Sequence, residues 1–385
     1  MRCLTLLSLS SAVGLALARN CQNLTVTVSI EGRNGVFNVT ATQSNIEVVN
    51  FVLDQVQQGH NGTAEVLEGY ANVEGTYNLS STYCTPDSGP GKALQVLTHG
   101  VGFDRSYWDA SLNEYNYSYV NKAIEAGYST FFYDRLGIGE SSRADPIQDI
   151  QSSLEIASLA ALTKLLRSGS VPGVQQPYSK VIHVGHSYGS IQTYALVRDY
   201  PELSDAIILT GFSQNGSFIA DFELGGNFVA VQNSPLASQY PAGYLAAGSK
   251  SGVQSNFFAP GDFSPEALDY AYTTGQPVSQ GELLTQGGAA AGVNNFAGPV
   301  LIITGERDVP FCGGDCDLTG NPNLPNIPSS SKESFPKASE FDVVIVPGAG
   351  HGLNLQYSHV FTYSQMLEFL GAVGSGSGGW EDVSK

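Results

Sequence analysis

Short runs of apolar residues recur along the chain from about residue 94, and stretches with helical periodicity separate them. Runs that are apolar on both faces cover residues 93–97, 129–133, 181–184, 206–209, 300–303 and 343–346. Strands of a parallel sheet that is covered on both sides have this continuous apolar character. The clearest helix begins near Asp145, with Ile147, Ile150, Leu154, Leu162 and Leu165 close to a 3.6-residue spacing. The alternation predicts an α/β fold with a doubly wound, mostly parallel sheet.

Three segments depart from this alternation of strands and helices. Residues 19–75 alternate apolar and polar positions, with a break at residues 32–35, and predict an N-terminal β-rich extension of antiparallel strands. Residues 211–295 are far longer than an ordinary loop and predict a cap inserted into the fold. Residues 373–385 are rich in Gly and Ser and predict a flexible tail. The α/β core is therefore expected over residues 76–210 and 296–372.

The N-terminus carries a targeting pattern. Residues 1–18 combine a basic residue, Arg2, with a short apolar run and the small-x-small ending Ala16-Leu17-Ala18. This pattern is typical of a cleaved signal peptide, and it predicts a secreted, extracellular protein. No later stretch approaches eighteen uninterrupted apolar residues, so we expect no stable membrane insertion.

Composition and charge add to this picture. The 385 residues include 17 Lys+Arg and 35 Asp+Glu, a formal charge of −18, which argues against a nucleic-acid partner because phosphates require a basic surface. Only 14% of residues are charged, so glycans are a natural means of hydrating the surface. Six Asn-x-Ser/Thr sequons are the predicted glycosylation sites: Asn23, Asn38, Asn61, Asn78, Asn116 and Asn215.

Signal-peptide cleavage would leave four cysteines, and an oxidising compartment favours their pairing. Cys312 and Cys316 enclose a flexible three-residue loop that can close on itself, which leaves Cys21 to pair with Cys84. A metal site at the first of these pairs would need further Cys or His nearby, and none follows until His351. We therefore predict two disulfides and no metal site.

A Gly-x-Ser-x-Gly pentad at residues 185–189 lies between the predicted strand at 180–184 and a predicted helix at 190–200. A serine on such a tight turn is held above the sheet edge, where it can attack a substrate. Gly185 and Gly189 leave room where strand and helix approach each other. We predict Ser187 as a nucleophile, with an ordinary helix N-cap as the alternative. The N–H of Tyr188, at the helix start, is then one predicted donor to an oxyanion.

The loop after the first apolar strand reads Thr98-His99-Gly100-Val101-Gly102. Glycine at Gly100 lets the backbone turn toward the nucleophile, so the N–H of Val101 is the second predicted oxyanion donor. His99 lies at the strand end, where we expect it to order the loop rather than to act as a base.

Two residues complete the candidate site. Asp308 follows the predicted strand at 300–303 and is expected to orient a histidine by accepting its Nδ1–H, with Glu306, Asp315 and Asp221 as competing carboxylates. His351 lies in a Gly-rich loop after the strand at 343–346. From there its imidazole is predicted to take the hydroxyl proton of Ser187.

The chain order Ser187, Asp308, His351 is that of the α/β-hydrolase triad. Together with the pentad and the loop at 98–102, it makes residues 75–372 resemble the α/β-hydrolase superfamily, most closely its secreted fungal esterase-like members. Residues 133–141 are similar to the family's Asp-x-Arg-Gly-x-Gly-x-Ser turn, with Leu136 in place of a Gly, and the resemblance implies a structural role for Asp134. Epoxide hydrolases and haloalkane dehalogenases of this fold place Asp at the nucleophile position, so Ser187 indicates carbonyl chemistry.

These observations predict a serine hydrolase of the carboxylesterase or lipase type, which cleaves a carboxylic ester or lactone through an acyl-enzyme on Ser187. Alternatives on the same triad are a peptidase, an acyltransferase, and a C–C hydrolase or cyclase of secondary metabolism. A non-catalytic hydrolase-like binding protein is the alternative from another class. No cofactor is expected.

The predicted substrate is small to medium in size and apolar, because the cap is rich in aromatic residues that would line a pocket. The same residues would equally serve to pack the cap onto the sheet. They are Phe212, Phe218, Phe222, Phe228, Tyr240, Tyr244, Phe257, Phe258 and Tyr270.

Overall fold

The computed structural model describes residues 19–174 and 176–375, so the predicted signal peptide and the tail from residue 376 lie outside the described residues. The strands are β1 (Arg19–Phe37), β2 (Leu67–Pro86), β3 (Leu94–Thr98), β4 (Ser129–Tyr133), β5 (Val181–His186), β6 (Ala206–Thr210), β7 (Phe228–Ala230), β8 (Tyr244–Ala247), β9 (Val278–Ser279), β10 (Val300–Gly305) and β11 (Phe341–Val346). The helices are α1 (Asn45–Val56), α2 (Gly62–Val66), α3 (Leu112–Tyr115), α4 (Tyr119–Glu125), α5 (Ser152–Ser168), α6 (Tyr188–Asp199), α7 (Ile219–Gly225), α8 (Lys250–Phe257), α9 (Pro265–Thr273), α10 (Gln280–Ala289), α11 (Val309–Cys312) and α12 (His359–Ser375).

Eight strands form the central sheet in the order β1-β2-β4-β3-β5-β6-β10-β11. The pairs from β4 to β11 are parallel, whereas β1 pairs antiparallel with β2 and β2 pairs antiparallel with β4. Successive residues of one strand enter different apolar clusters; Val96 lies in one cluster and Leu97 in the other. The sheet is therefore buried on both faces, and the predicted doubly wound α/β fold is confirmed.

The N-terminal hairpin differs in one respect from the prediction. β1 continues through residues 32–35, where we expected a break, and pairs with β2 from Arg19 opposite Pro86 to Phe37 opposite Leu67. Gly32 is needed for close packing rather than for a turn, because a Cβ atom there would lie 2.9 Å from the Leu154 Cα of α5. β2 also crosses residue 75, where we placed the boundary of the extension, so the hairpin is continuous with the central sheet.

Helix α5 begins at Ser152 and not near Asp145. The preceding residues form turns because the Asp145 carboxylate accepts the N–H groups of Ile147 and Gln148, both at 2.8 Å. A short polar side chain that satisfies the backbone in this way competes with helix formation. The apolar spacing correctly predicted that Ile147 and Ile150 are buried. The prediction that these two residues lie in a helix was wrong.

The segment predicted as a cap, residues 211–295, holds four helices, α7 to α10, around a small antiparallel sheet of β7, β8 and β9. At the other end of the chain, α12 extends to Ser375, so residues 373–375, which we placed in the tail, are helical.

Both predicted cysteine pairs lie at disulfide distance. The sulfur atoms of Cys21 and Cys84 are 2.03 Å apart across the β1–β2 hairpin, and those of Cys312 and Cys316 are 2.06 Å apart. The sequon asparagines are exposed except for Asn215, which is half-buried. Among residues 19–174 and 176–375, no helix combines the length and the apolar character needed to cross a bilayer.

Candidate active site

Ser187 lies on the turn that joins β5 to α6. Its backbone has φ 54° and ψ −118°, in a region that residues with a side chain rarely adopt. The turn is crowded, because a Cβ atom on Gly189 would come within 2.8 Å of the His99 carbonyl oxygen. Strain of this kind persists only where the surrounding structure enforces it. The side chain of Ser187 is therefore held in one place at the edge of the sheet.

A chain of hydrogen bonds joins the three residues expected to form a triad. The Ser187 Oγ lies 2.8 Å from the Nε2 of His351, and the Nδ1 of His351 lies 2.7 Å from the Oδ2 of Asp308. The Asp308 carboxylate is fully buried and also accepts the Thr304 hydroxyl and the Phe311 N–H. These bonds fix the carboxylate, so the imidazole has one orientation in which Nδ1 carries the proton and Nε2 faces the serine.

The competing carboxylates lie elsewhere. Glu306 accepts the N–H of Gly348 at 2.8 Å, and Asp221 and Asp315 are exposed on the surface. The structure thus brings Asp308, and none of these three, to the histidine.

The His351 ring is enclosed by aromatic side chains and by a glycine. Its centroid lies 5.8 Å from that of Phe257 and 5.7 Å from that of Phe311. On another side is Gly211, which has φ 57° and where a Cβ atom would come within 2.9 Å of the His351 Cε1. No sequence motif marks Gly211, because its role depends on a contact with a residue 140 positions further along the chain.

The loop at residues 98–102 lies against the serine. A Cβ atom on Gly100 would lie 2.9 Å from the Ser187 Cβ, so only glycine lets the backbone approach this closely. Within the part of the chain that the structure describes, neither the N–H of Val101 nor that of Tyr188 donates a hydrogen bond to a protein group. Both N–H groups are therefore available to a bound ligand.

His99 orders this loop, as expected. Its Nδ1 lies 2.9 Å from the Gly100 carbonyl and its Nε2 accepts the N–H of Arg135 at 3.0 Å. Burial and the nearby arginines hold the pKa of His99 well below its usual value. The ring is therefore neutral, with both nitrogens used by the backbone.

His186 lies beside the site, although the sequence assigned it no role. Its ring stacks on Tyr107 at 4.4 Å and lies 5.0 Å from the ring of His351. The Nδ1 lies 3.1 Å from the Thr210 hydroxyl, and the buried Nε2 has no hydrogen-bond partner among the described residues. Burial, reinforced by His351, holds the pKa of His186 well below its usual value, so this neighbour adds no positive charge.

Asp134 has the structural role that the family resemblance implied. It is 1% exposed and accepts the N–H groups of Arg105 and Glu140 as well as the Arg105 guanidinium. Burial raises the pKa of Asp134 to about 6.

A buried charge network supports the turn from behind. The guanidinium of Arg135 donates to Glu155 of α5 at 2.7 Å and to Glu282 of α10, and it lies over the ring of Tyr188 at 4.6 Å. The Tyr188 hydroxyl donates to the other Glu155 oxygen at 2.6 Å. Burial raises the pKa of Glu155 above its usual value, and the neighbouring Arg135 opposes this effect. The network joins Tyr188, the residue after Ser187, to α5 and to α10.

Residues of α7 line two spaces, Phe222 the first and Glu223 the second. The apolar cavity, of about 220 Å³, is lined by Val101, Phe103, Phe222 and Phe257 among others. The larger groove, of about 880 Å³, runs past the N-terminal hairpin, α5, α6 and α10, and Arg33, Ser152, Glu223, Gln286 and Phe311 are among the residues that line it. Ser187 and His351 do not line this groove. The first space contains a predicted oxyanion donor, and the second includes a ring that contacts His351.

The cap aromatics divide between the two roles that the sequence allowed. Phe222, Phe228 and Phe257 line the apolar cavity. Tyr240 and Tyr244 pack against the loop after β4 instead, since their hydroxyls bond to the backbone of Gly139 and Gly137. No three His, Cys, Asp or Glu side chains in the described part of the chain are arranged to hold a metal ion.

Comparison with known proteins places the chain in a family. The sequence model of the alpha/beta hydrolase family matches residues 95–362. A comparison with curated protein sequences found no significant match.

Solved structures show the same fold at low sequence identity. A thermophilic esterase from Thermogutta terrifontis, determined with malate bound, has a TM-score of 0.52 at 16% identity and covers 77% of this chain and 94% of its own. An alpha/beta hydrolase fold protein from Chitinophaga pinensis has a TM-score of 0.51 at 17% identity and covers 76% of this chain and 94% of its own. At such identities the likeness concerns the fold alone. Because the family model spans more than half of the sequence, the chain belongs to the alpha/beta hydrolase family.

Proposed function

We propose that the protein is a secreted serine hydrolase that cleaves a carboxylic ester or lactone through an acyl-enzyme on Ser187. The observation that carries the proposal is the continuous hydrogen-bonded chain from Ser187 through His351 to the buried Asp308. The predicted signal peptide, the two cysteine pairs and the exposed sequons support secretion.

In the proposed reaction, His351 Nε2 takes the hydroxyl proton as Ser187 Oγ forms a bond to the ester carbonyl carbon. Asp308 stabilises the imidazolium that results. The N–H groups of Val101 and Tyr188 bind the oxyanion of the tetrahedral intermediate. The carbon–oxygen bond to the alcohol then breaks, and His351 returns the proton to that alcohol. A water molecule releases the acid by the same steps, with His351 again as base.

The test is reaction with an alkyl fluorophosphonate, followed by intact mass and peptide mapping. We expect one adduct, on Ser187, and hydrolysis of p-nitrophenyl butyrate by the unlabelled protein. His351→Ala should slow labelling by about 10³-fold or more, because the serine loses its base. Asp308→Asn should have an effect of similar size through the tautomer of His351.

Ser190→Ala is the matched control. Its hydroxyl lies in the same helix but donates to the Thr210 carbonyl, so the variant should still be labelled. A folded protein that resists labelling, or that is labelled elsewhere, would overturn the proposal and favour a non-catalytic binding protein.

A further inference from the structure

The apolar cavity adjoins the groups that take part in the proposed reaction. Val101, whose N–H is a predicted oxyanion donor, lines the cavity, and so does Phe257, whose ring lies 5.8 Å from that of His351. The neighbouring Gly100 approaches the nucleophile so closely that a Cβ atom on it would lie 2.9 Å from the Ser187 Cβ. A substrate whose carbonyl oxygen binds the Val101 N–H can therefore extend one of its chains into the cavity.

No charged side chain and no histidine of the described residues lines this cavity. Polar side chains in its wall are bonded within the protein. The Gln276 amide donates to Asp104 and accepts the Tyr240 hydroxyl, and the Ser234 hydroxyl donates to the Val231 carbonyl. The volume of about 220 Å³ corresponds to roughly seven groups of the size of a water molecule, at about 30 Å³ each. The cavity therefore suits a short, uncharged chain.

Another polar side chain of the wall, Asn256, has an amide oxygen without a partner. The residue is 3% exposed and lies on α8, next to Phe257. Its Oδ1 is buried and accepts no hydrogen bond within the part of the chain that the structure describes. A Cβ atom on Gly226, which also lines the cavity, would come within 2.7 Å of the Asn256 Nδ2, and one on Gly225 would lie 3.0 Å from the Oδ1. Two successive glycines thus leave room for the amide at the cavity wall.

An unpaired amide in this position needs a physical reason. Burial removes a polar group from water, so buried polar groups are ordinarily hydrogen-bonded. Leucine has a similar shape and would line the cavity without an unpaired group. The amide of Asn256 is therefore unfavourable for folding alone, and it becomes favourable when a ligand in the cavity pairs with it.

We propose that Asn256 determines specificity by binding a hydroxyl group on the chain that occupies the apolar cavity, so that the enzyme prefers hydroxylated esters or lactones. A hydroxyl both donates and accepts, so it can pair with either the Oδ1 or the Nδ2, whereas a hydrocarbon chain pairs with neither. A charged group is disfavoured because the cavity wall holds no counter-ion. This inference rests on the proposed hydrolase function for the identity of the reacting group.

Matched esters test this preference. Methyl hexanoate is compared with the methyl esters of 3-, 5- and 6-hydroxyhexanoic acid, and hexyl acetate with 6-hydroxyhexyl acetate, so that both chains of the ester are probed. We expect at least one hydroxylated ester to have a higher kcat/KM than its parent. Asn256→Leu should lower that ratio by about tenfold, the effect of one lost hydrogen bond. Hydrolysis of the parent esters should not decrease, because leucine preserves the apolar contacts.

Gln254→Leu is the matched control. It removes an amide from the same helix at a residue that does not line the cavity, so every ratio should stay unchanged.

A second experiment does not depend on turnover. In an NMR titration of the Ser187→Ala protein with 1-hexanol, Asn256→Leu should weaken binding by about tenfold. Since leucine adds apolar surface, such a loss reports the hydrogen bond and not the packing. If Asn256→Leu alters neither the binding nor any ratio while the parent esters are hydrolysed, the inference is wrong and the hydrolase proposal stands. If hexanol binding depends on Asn256 but no serine is labelled and no ester is cleaved, the hydrolase proposal fails and the hydroxyl site stands.

Discussion

At the scale of single residues, Gly211 provides space that any larger residue would fill. Its missing side chain leaves room for the rings of both His351 and His186, whose Cε1 atoms would each lie 2.9 Å from a Cβ atom there. Its φ of 57° adds backbone strain for any other residue. Gly211→Ala should displace the His351 imidazole and lengthen its 2.8 Å hydrogen bond to Ser187.

We therefore expect Gly211→Ala to lower the fluorophosphonate labelling rate by tenfold or more while the circular dichroism spectrum stays unchanged. Gly216→Ala is the control, because a Cβ atom there meets no other atom within 4 Å. An unchanged labelling rate in Gly211→Ala would show that the ring has more freedom than these contacts imply.

Glu223 gives a second prediction at this scale, on stability and pH. Burial raises the pKa of Glu223 from 4.5 to about 7, so between these values the folded protein binds more protons than the unfolded chain. Stability then falls as the pH rises through this window. Glu223→Gln removes the effect, so the variant should gain about 2–3 kcal/mol relative to the wild type between pH 4 and pH 8.5.

Urea unfolding of both proteins at the two pH values measures this difference, and a packing change that is independent of pH cancels from it. Asp221→Asn, an equal change of charge at an exposed position of the same helix, is the matched control. A flat difference for Glu223→Gln would mean that the carboxyl is better solvated than its burial indicates.

At the scale of elements, Arg135 holds together α5, α6 and α10. It is 1% exposed and lies between the carboxylates of Glu155 and Glu282. Removing the guanidinium leaves two buried carboxyl groups without a cation. Arg135→Met should therefore lower the free energy of unfolding by about 3–5 kcal/mol.

Denaturant unfolding measures this loss, and Lys122→Met is the control. The ion pair of Lys122 with Glu125 is exposed, and such pairs contribute about 0–1 kcal/mol. A loss below about 1 kcal/mol in Arg135→Met would show that the network contributes little to stability.

The elements also show what the sequence could predict. The apolar runs located the strands β3 to β6, β10 and β11 to within two residues at each end. This was possible because a strand that is buried on both faces appears in the sequence as a short, continuous apolar run. Ser187, Asp308 and His351 followed from their places after strand ends, since parallel strands bring those ends to one edge. The roles of His186, Gly211 and Arg135 could not follow, because each depends on a contact between distant segments. The glycine at residue 32 was misread for the same reason.

At the scale of the whole molecule, the N-terminal hairpin adds two antiparallel strands to a parallel sheet. β2 pairs with β4, so the hairpin forms one edge of the sheet, and α5 packs close to Gly32 of β1. The Cys21–Cys84 pair lies across the open end of this hairpin and closes a segment with a sequence separation of 63. The Cys312–Cys316 pair closes a separation of only 4, in the loop after Asp308.

The two pairs should therefore contribute unequally to stability. In the chain-entropy account, a cross-link stabilises the fold by restricting the unfolded chain, and longer segments are restricted more. Replacing Cys21 and Cys84 by Ser should lower the free energy of unfolding by about 4 kcal/mol, against about 2 kcal/mol for the Cys312 and Cys316 pair. The shorter pair adjoins the candidate site, so its loss should instead appear in the labelling rate of Ser187. Urea unfolding and fluorophosphonate labelling of both double variants measure these effects. If the order of stabilities is reversed, the hairpin is held by its strand pairing and packing rather than by the cross-link.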